Sequence, residues 1–312
     1  MSSTMTTTTA SAVDYTKLRA SRPSFFGLVR GEFFKVMRQW ATWILLVLLL
    51  GAIVLPYIIE TLRPRLQADI TSAPLTFFYD QLGIGLSVMR VFTGFFLLII
   101  TARLIGQEYQ LGTIRVLLGR GVGRLQLLFA KLLTMAIIGV ILLIVGLALN
   151  YLLTLALVAG VSGNLHAYSV LTSQFWSDTG VYVLYILLNM GVSILLAAAA
   201  AIIGRASAFG LSASLAFFPL DNFATVIMLL AFRVTNSDFW LSITAYFLGP
   251  NLNQMPVALT NGRVATIGFG PLTMGTHGIQ VDATHTLVVD AVYAVIFAAI
   301  AIWLTLKRDV QE

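Results

Sequence analysis

The chain has 312 residues, 58% of them hydrophobic and only 10% charged, with a formal net charge of +6 and no cysteine. A water-soluble domain carries about 25% charged residues, so water is excluded as the solvent for most of this surface. Missing cysteines exclude disulfides, thiolate metal sites and cysteine nucleophiles.

Residues 1–20 hold little that is apolar and read as a disordered N-terminal tail. Over 21–40 the pattern changes. Phe25, Val29, Phe33, Val36, Met37 and Trp40 recur at helical spacing, while Arg30, Lys35 and Arg38 fall off that stripe. This predicts an amphipathic helix on the membrane interface. With basic residues abutting the first apolar run, no cleavable signal peptide is expected.

A hydrocarbon core of about 30 Å needs about 20 apolar residues per helix. Six stretches qualify: 41–59, 82–105, 132–158, 179–203, 206–232 and 287–306. Unbroken apolar runs such as Ile44 to Leu50 lack the alternation of a strand barrel, so the predicted class is an all-α polytopic membrane protein with a transmembrane domain over 41–306. Fourteen of the nineteen Lys and Arg residues fall on the side holding both termini, and four on the other. The positive-inside rule makes the first side cytoplasmic, including 307–312 at the C-terminus. The net charge is thus accounted for by topology and anionic lipid, and no nucleic-acid partner is expected.

Arg90 in the second span is a charge in hydrocarbon, as are Asp221 in the fifth and Asp290 in the sixth. Arg90 lies about 12 Å and Asp221 about 16 Å from the outer ends of their spans, so an Arg90–Asp221 pair is expected, within one subunit or across a dimer, as a clamp or as part of a pathway. Pro219 removes a helix hydrogen bond beside Asp221 and suits a gate. Phe92, Phe95 and Phe96 offer either an apolar route for an amphiphile or ordinary packing. Asp290, near an outer end, is expected to reach water.

The connection after the second span, 106–131, is too elaborate for a turn. Thr113 is expected to cap a short helix whose Ile114, Leu117 and Leu118 share a face, with Gly119 as its left-handed stop. Glu108 is expected to pair with Arg115 or with a basic residue of a partner. Only Gly204 and Arg205 separate the fourth and fifth spans, which predicts an antiparallel hairpin. Gly191 and the run Ala197 to Ala201 read as close-packing positions. Segment 233–286 is external, and its apolar piece from Phe239 to Leu248 is too short to span. It reads as a cap or a re-entrant element. His166, His277 and His285 show no metal-ligand spacing, so no metal site is expected.

Glu108, Gly112, Thr113, Ile114, Leu117, Leu118, Arg124 and Lys131 together resemble the cytoplasmic signature of the ATP-binding-cassette type-2 permease family. One departure is visible: Gly121, Val122 and Gly123 stand where members often carry a proline and a small polar residue before the arginine. The resemblance implies a plasma (inner) membrane exporter subunit of bacterial type, working by alternating access as a homodimer or heterodimer. It implies two copies of a cytoplasmic ATPase docking on the helix near Thr113 to Leu118, with ATP and Mg held there. Gly119 to Arg124 lacks the ending of a phosphate loop, so no cofactor and no enzymatic activity are expected of this chain. Two other classes stay open: an ion-coupled secondary transporter using Arg90 and Asp221, and a membrane assembly or immunity protein acting by binding.

Overall fold

The computed structural model describes residues 24–264 and 281–307. The expected tail over 1–20, His277 and the last five residues of the predicted C-terminal segment lie outside them. Among the described residues every regular element is helical. The order is α1 (Phe25–Met37), α2 (Trp40–Thr61), α3 (Leu66–Ser72), α4 (Pro74–Gln110), α5 (Thr113–Gly119), α6 (Arg124–Ser162), α7 (Ser173–Gly204), α8 (Ser207–Thr235), α9 (Phe239–Thr244), α10 (Leu248–Leu259) and α11 (Ala283–Lys307), with a 3-10 turn at His166–Val170. Six of them, α2, α4, α6, α7, α8 and α11, are long and apolar enough to cross a membrane. Each contains one predicted span. α4 and α6 run well past it because their ends pack on α1 and α5 instead of stopping at the hydrocarbon edge.

α4 and α7 form the enclosed centre, while α8 is the barest of the six. The core gathers Met89, Leu97 and Ile100 of α4, Met135 of α6, and Tyr182, Tyr185 and Ile186 of α7. The expected hairpin is present: α7 ends at Gly204, Arg205 adopts a left-handed φ of 50°, and α8 begins at Ser207. Bulk is excluded where these helices meet. A Cβ on Gly106 of α4 would stand 2.5 Å from Ser207 Cα, and one on Gly210 of α8 would stand 2.7 Å from Ala201 Cα. The alanine run is buried as a packing surface, but Gly191 faces open space and makes no such approach.

α1 lies against α6 with Val29 and Val36 buried and Phe26 and Phe34 exposed. Trp40, read as the end of that stripe, instead opens α2 and is exposed. Thr42 Oγ1 donates to the Val36 carbonyl at 2.7 Å, fixing the corner between α1 and α2. Lys35 of α1 touches Glu108 of α4, and Arg124 of α6 donates to the Leu306 carbonyl of α11 at 3.2 Å. The first and last helices therefore share the end of the bundle that carries α5.

The segment after α8 is a built element. α9 turns the chain, and α10 packs between α7, α8 and α11 with Leu248, Leu252 and Met255 in the main core. Its amphipathic sequence, broken by Pro250 and Pro256, is too short and too polar to read as a span. Beyond α10, Arg263 makes a two-pronged ion pair with Asp178 of α7, at 2.7 and 2.8 Å, and Tyr79 and Gln174 donate to the same carboxylate at 2.9 Å each. The hydrogen bond to Asp178 holds the Arg263 guanidinium above its usual range.

Candidate functional site

Two regions join the residues that carry chemistry. The first is the α5 end. Gly112, in the left-handed region at φ 68°, turns the chain out of α4 and stands as the N-cap of α5. Thr113, expected to cap, is the first helical residue instead, and its hydroxyl donates backward to the Glu108 carbonyl at 3.4 Å. The left-handed stop falls at Gly121, φ 84°, and not at Gly119, which is still helical. Gln126 Oε1 then accepts from the Gly123 N–H at 3.3 Å as α6 begins.

Ile114, Leu117 and Leu118 are half-buried against the bundle, while Leu111, Arg115 and Val116 are exposed. A groove of about 370 Å³ runs between α5 and the helices behind it, bounded by Lys35, Gln39, Leu104, Glu108, Val116 and Leu117.

Glu108 pairs with neither Arg115 nor a free cation at the surface. It accepts from Lys35 at 2.7 Å and faces Lys131 at 2.9 Å, while Glu32 takes the same two lysines at 2.7 Å each. Arg115 is exposed because the helical turn after Gly112 carries it away from Glu108. Four charges from α1, α4 and α6 thus form a neutral cluster. Glu32 and Lys131 keep only 3% of their side-chain surface. Burial works to lower the Lys35 ammonium, but hydrogen bonds to Glu108 and Glu32 outweigh it and hold the group above its usual range. Glu32 was missed in the sequence, although it is the one acid on the apolar stripe between Val29 and Val36.

The second region lies about sixteen residues into α4, some 24 Å from its start. Arg90 is 5% exposed. Its guanidinium donates to the Tyr185 hydroxyl, to the Leu252 carbonyl at 3.1 Å and to Asn253 Oδ1 at 2.9 Å, with the Tyr185 ring centroid 5.4 Å away. Tyr185 also donates to the Leu252 carbonyl. Asp221 accepts from the Gly249 N–H, and Asn253 donates to Asn222 Oδ1 at 3.2 Å. Within the chain the expected Arg90–Asp221 contact is therefore not made. α10 stands between the two residues and gives each a partner, a backbone amide for the acid and acceptors for the base.

Arg90, Phe92, Phe95, Phe218, Pro219 and Asn253 border a cavity of about 420 Å³ between α4, α7, α8 and α10. Phe92 and Phe95 meet edge to face at 6.3 Å on its flank, whereas Phe96 turns into the core and takes no part. α8 remains one helix through Pro219. Asp290, expected to reach water, is 4% exposed, and neither of its carboxylate oxygens has a hydrogen-bond partner among the described residues. The helix that carries it, α11, is packed against α7 and α10. Among the described residues no cluster of three or more metal-type ligands occurs; His285 bonds the Ala245 carbonyl at 2.7 Å.

A bundle with six membrane-length helices among the described residues, a buried charge cluster at one end and a largely apolar cavity further along α4 defines a polytopic membrane protein. A family model described as ABC-2 family transporter protein matches residues 27–310, and the chain belongs to that family, as a membrane permease of an ABC transporter. No curated protein matches it.

Proposed function

We propose that this chain is the permease subunit of an ATP-driven exporter in a bacterial inner membrane, with α5 as the element that meets a cytoplasmic ATPase. The observation that carries this reading is α5 itself. It is a seven-residue helix between two membrane-length helices, with Val116 on it and Leu111 just before it exposed, 57% and 73%. Exposed apolar residues on a short helix suit burial against a partner groove.

The excess of Lys and Arg on this side supports a cytoplasmic placement. α1, with Phe26 and Phe34 exposed beside Arg30, suits an interfacial helix on the same leaflet. The ATPase supplies ATP and Mg, and two copies serve a pair of permeases, identical or different. In this chain, the Glu32–Lys35–Glu108–Lys131 cluster joins α5's base to α1 and α6, so a push on α5 is passed to three helices together. Export then follows by alternating access, with rearrangement around α4, α8 and α10.

Purification from the native host in mild detergent tests the reading. An ABC ATPase is expected to co-purify with the wild type and to be lost when Val116, or Leu117 with Leu118, becomes Asp, while the variants still elute as a single species. Recovery of the wild type without any ATPase would overturn the exporter and favour an ion-coupled carrier or a binding protein.

A further inference from the structure

The polar atoms of the mid-bundle cavity are not all occupied. Arg90 and Ser193 both border it, and Ser193 is 1% exposed. Yet Arg90 Nε and Ser193 Oγ have no hydrogen-bond partner among the described residues. A buried donor left unmade costs about 1–3 kcal/mol, more when charged, so two such donors on residues that line one cavity suit a ligand that accepts.

The charge balance points the same way. Among the described residues no Asp or Glu borders the cavity. Asp221 is held by the Gly249 N–H, and Asp290 acts on Arg90 only through space, without a hydrogen bond. The hydrogen bonds Arg90 makes to the described residues go to neutral oxygens, so an anion entering the cavity gains a charge-assisted contact. Ser87, Asn189, Asn222 and Asn253 add neutral polar groups to the wall, and Phe92, Phe95, Phe218 and Pro219 supply much of its apolar part. The volume of about 420 Å³ falls in the range of small-molecule sites. Phe92 and Phe95 are 40% and 37% exposed, so the apolar side opens outward from the bundle, where lipid tails lie.

We infer that this cavity binds an amphiphile with an anionic head, carboxylate or phosphate, seated on Arg90 Nε and Ser193 Oγ, and an apolar tail against Phe92 and Phe95. The inference rests on the exporter reading for calling this ligand the cargo; the site itself does not. Gly94 keeps the space open. A Cβ there would stand 3.6 Å from Asn189 Oδ1 and 3.7 Å from Ser193 Oγ, so the methyls of a valine would enter the head subsite.

Native mass spectrometry of the full-length permease, purified without ATPase in a nonionic detergent, provides the test. Dodecyl phosphate is expected to bind one copy per chain at least about tenfold more tightly than dodecanol. S193A should weaken it about threefold and G94V at least about tenfold. S193A removes a hydroxyl that has no partner inside the protein, which guards against misfolding as an explanation. Equal binding of phosphate and alcohol, or phosphate binding unchanged in G94V, would overturn the inference. Displacement of dodecyl phosphate by phosphatidylglycerol would identify a bilayer lipid as the source of the head, and its failure to displace a free amphiphile; both results uphold the site. Because no ATPase is present in this measurement, a missing ATPase in the co-purification overturns only the exporter reading.

Discussion

Replacing Lys131 by methionine removes the centre of the charge cluster at nearly constant volume. Lys131 Nζ lies 2.7 Å from Glu32, 2.9 Å from Glu108 and 3.2 Å from the Leu104 carbonyl, with 3% of its side chain exposed. The variant leaves two carboxylates, each no more than about a tenth exposed, sharing the single half-exposed Lys35. Breaking a buried pair from one side costs about 3–5 kcal/mol. Lys35 still bonds both acids, so the loss is placed at the lower end, about 3 kcal/mol. Removing Glu32 as well, as Glu32→Leu with Lys131→Met, restores neutrality around the remaining Lys35–Glu108 pair and should recover at least about 1 kcal/mol. Unfolding in mixed micelles with rising SDS measures all four corners of the cycle. A Lys131→Met loss below about 1 kcal/mol, or strictly additive single changes, would mean that the cluster does not hold α1, α4 and α6 together.

Gly106→Ala should destabilise by about 1–3 kcal/mol, since its Cβ would meet the Ser207 backbone at 2.5 and 2.6 Å, while Gly191→Ala, in open space, should be neutral or slightly stabilising in the same assay. Equal effects at the two glycines would show that α4 and α8 do not touch there. Asp178→Asn should release Arg263, and with it the turn after α10, so that trypsin added to the purified protein cleaves after Arg263 faster than in the wild type; an unchanged rate would show that other contacts hold this turn.

Much of the fold was legible because lipid is an exacting solvent. A run of about 20 apolar residues has few other uses, and the two-residue gap at Gly204 and Arg205 leaves no topology but a hairpin. The short helix at Thr113 was legible from its glycine and leucine spacing, although its caps fell one or two residues from where propensity placed them. What hid were partners far apart in the chain. Glu108 finds Lys35 and Lys131 at separations that no local pattern encodes, and Glu32 is disguised by the hydrophobic stripe around it. The Arg90–Asp221 contact is not made within the chain, because matching levels along two helices say nothing of a third element between. α10 has the composition of a loop, and its place in the core rests on long-range partners: Arg90 and Tyr185 bond the Leu252 carbonyl, and Asp221 takes the Gly249 N–H. Asp290 was misjudged as well, since distance from a span end measures access to water only where no other helix packs alongside.

The glycine contact between α4 and α8 has a mechanical meaning. Where backbone meets backbone at Gly106 and Ser207, the two helices cannot slide closer, so they can only turn about that point. The cavity lies on the long arm of this lever, sixteen residues away from Gly106 at Arg90, or about 24 Å. α5 hangs on the short arm, seven residues beyond the fulcrum. A tilt of about 5° there displaces the Arg90 level by about 2 Å, roughly the difference between a made and a broken hydrogen bond. On the exporter reading proposed above, a modest stroke at α5 would be geared up into a change of grip at Arg90.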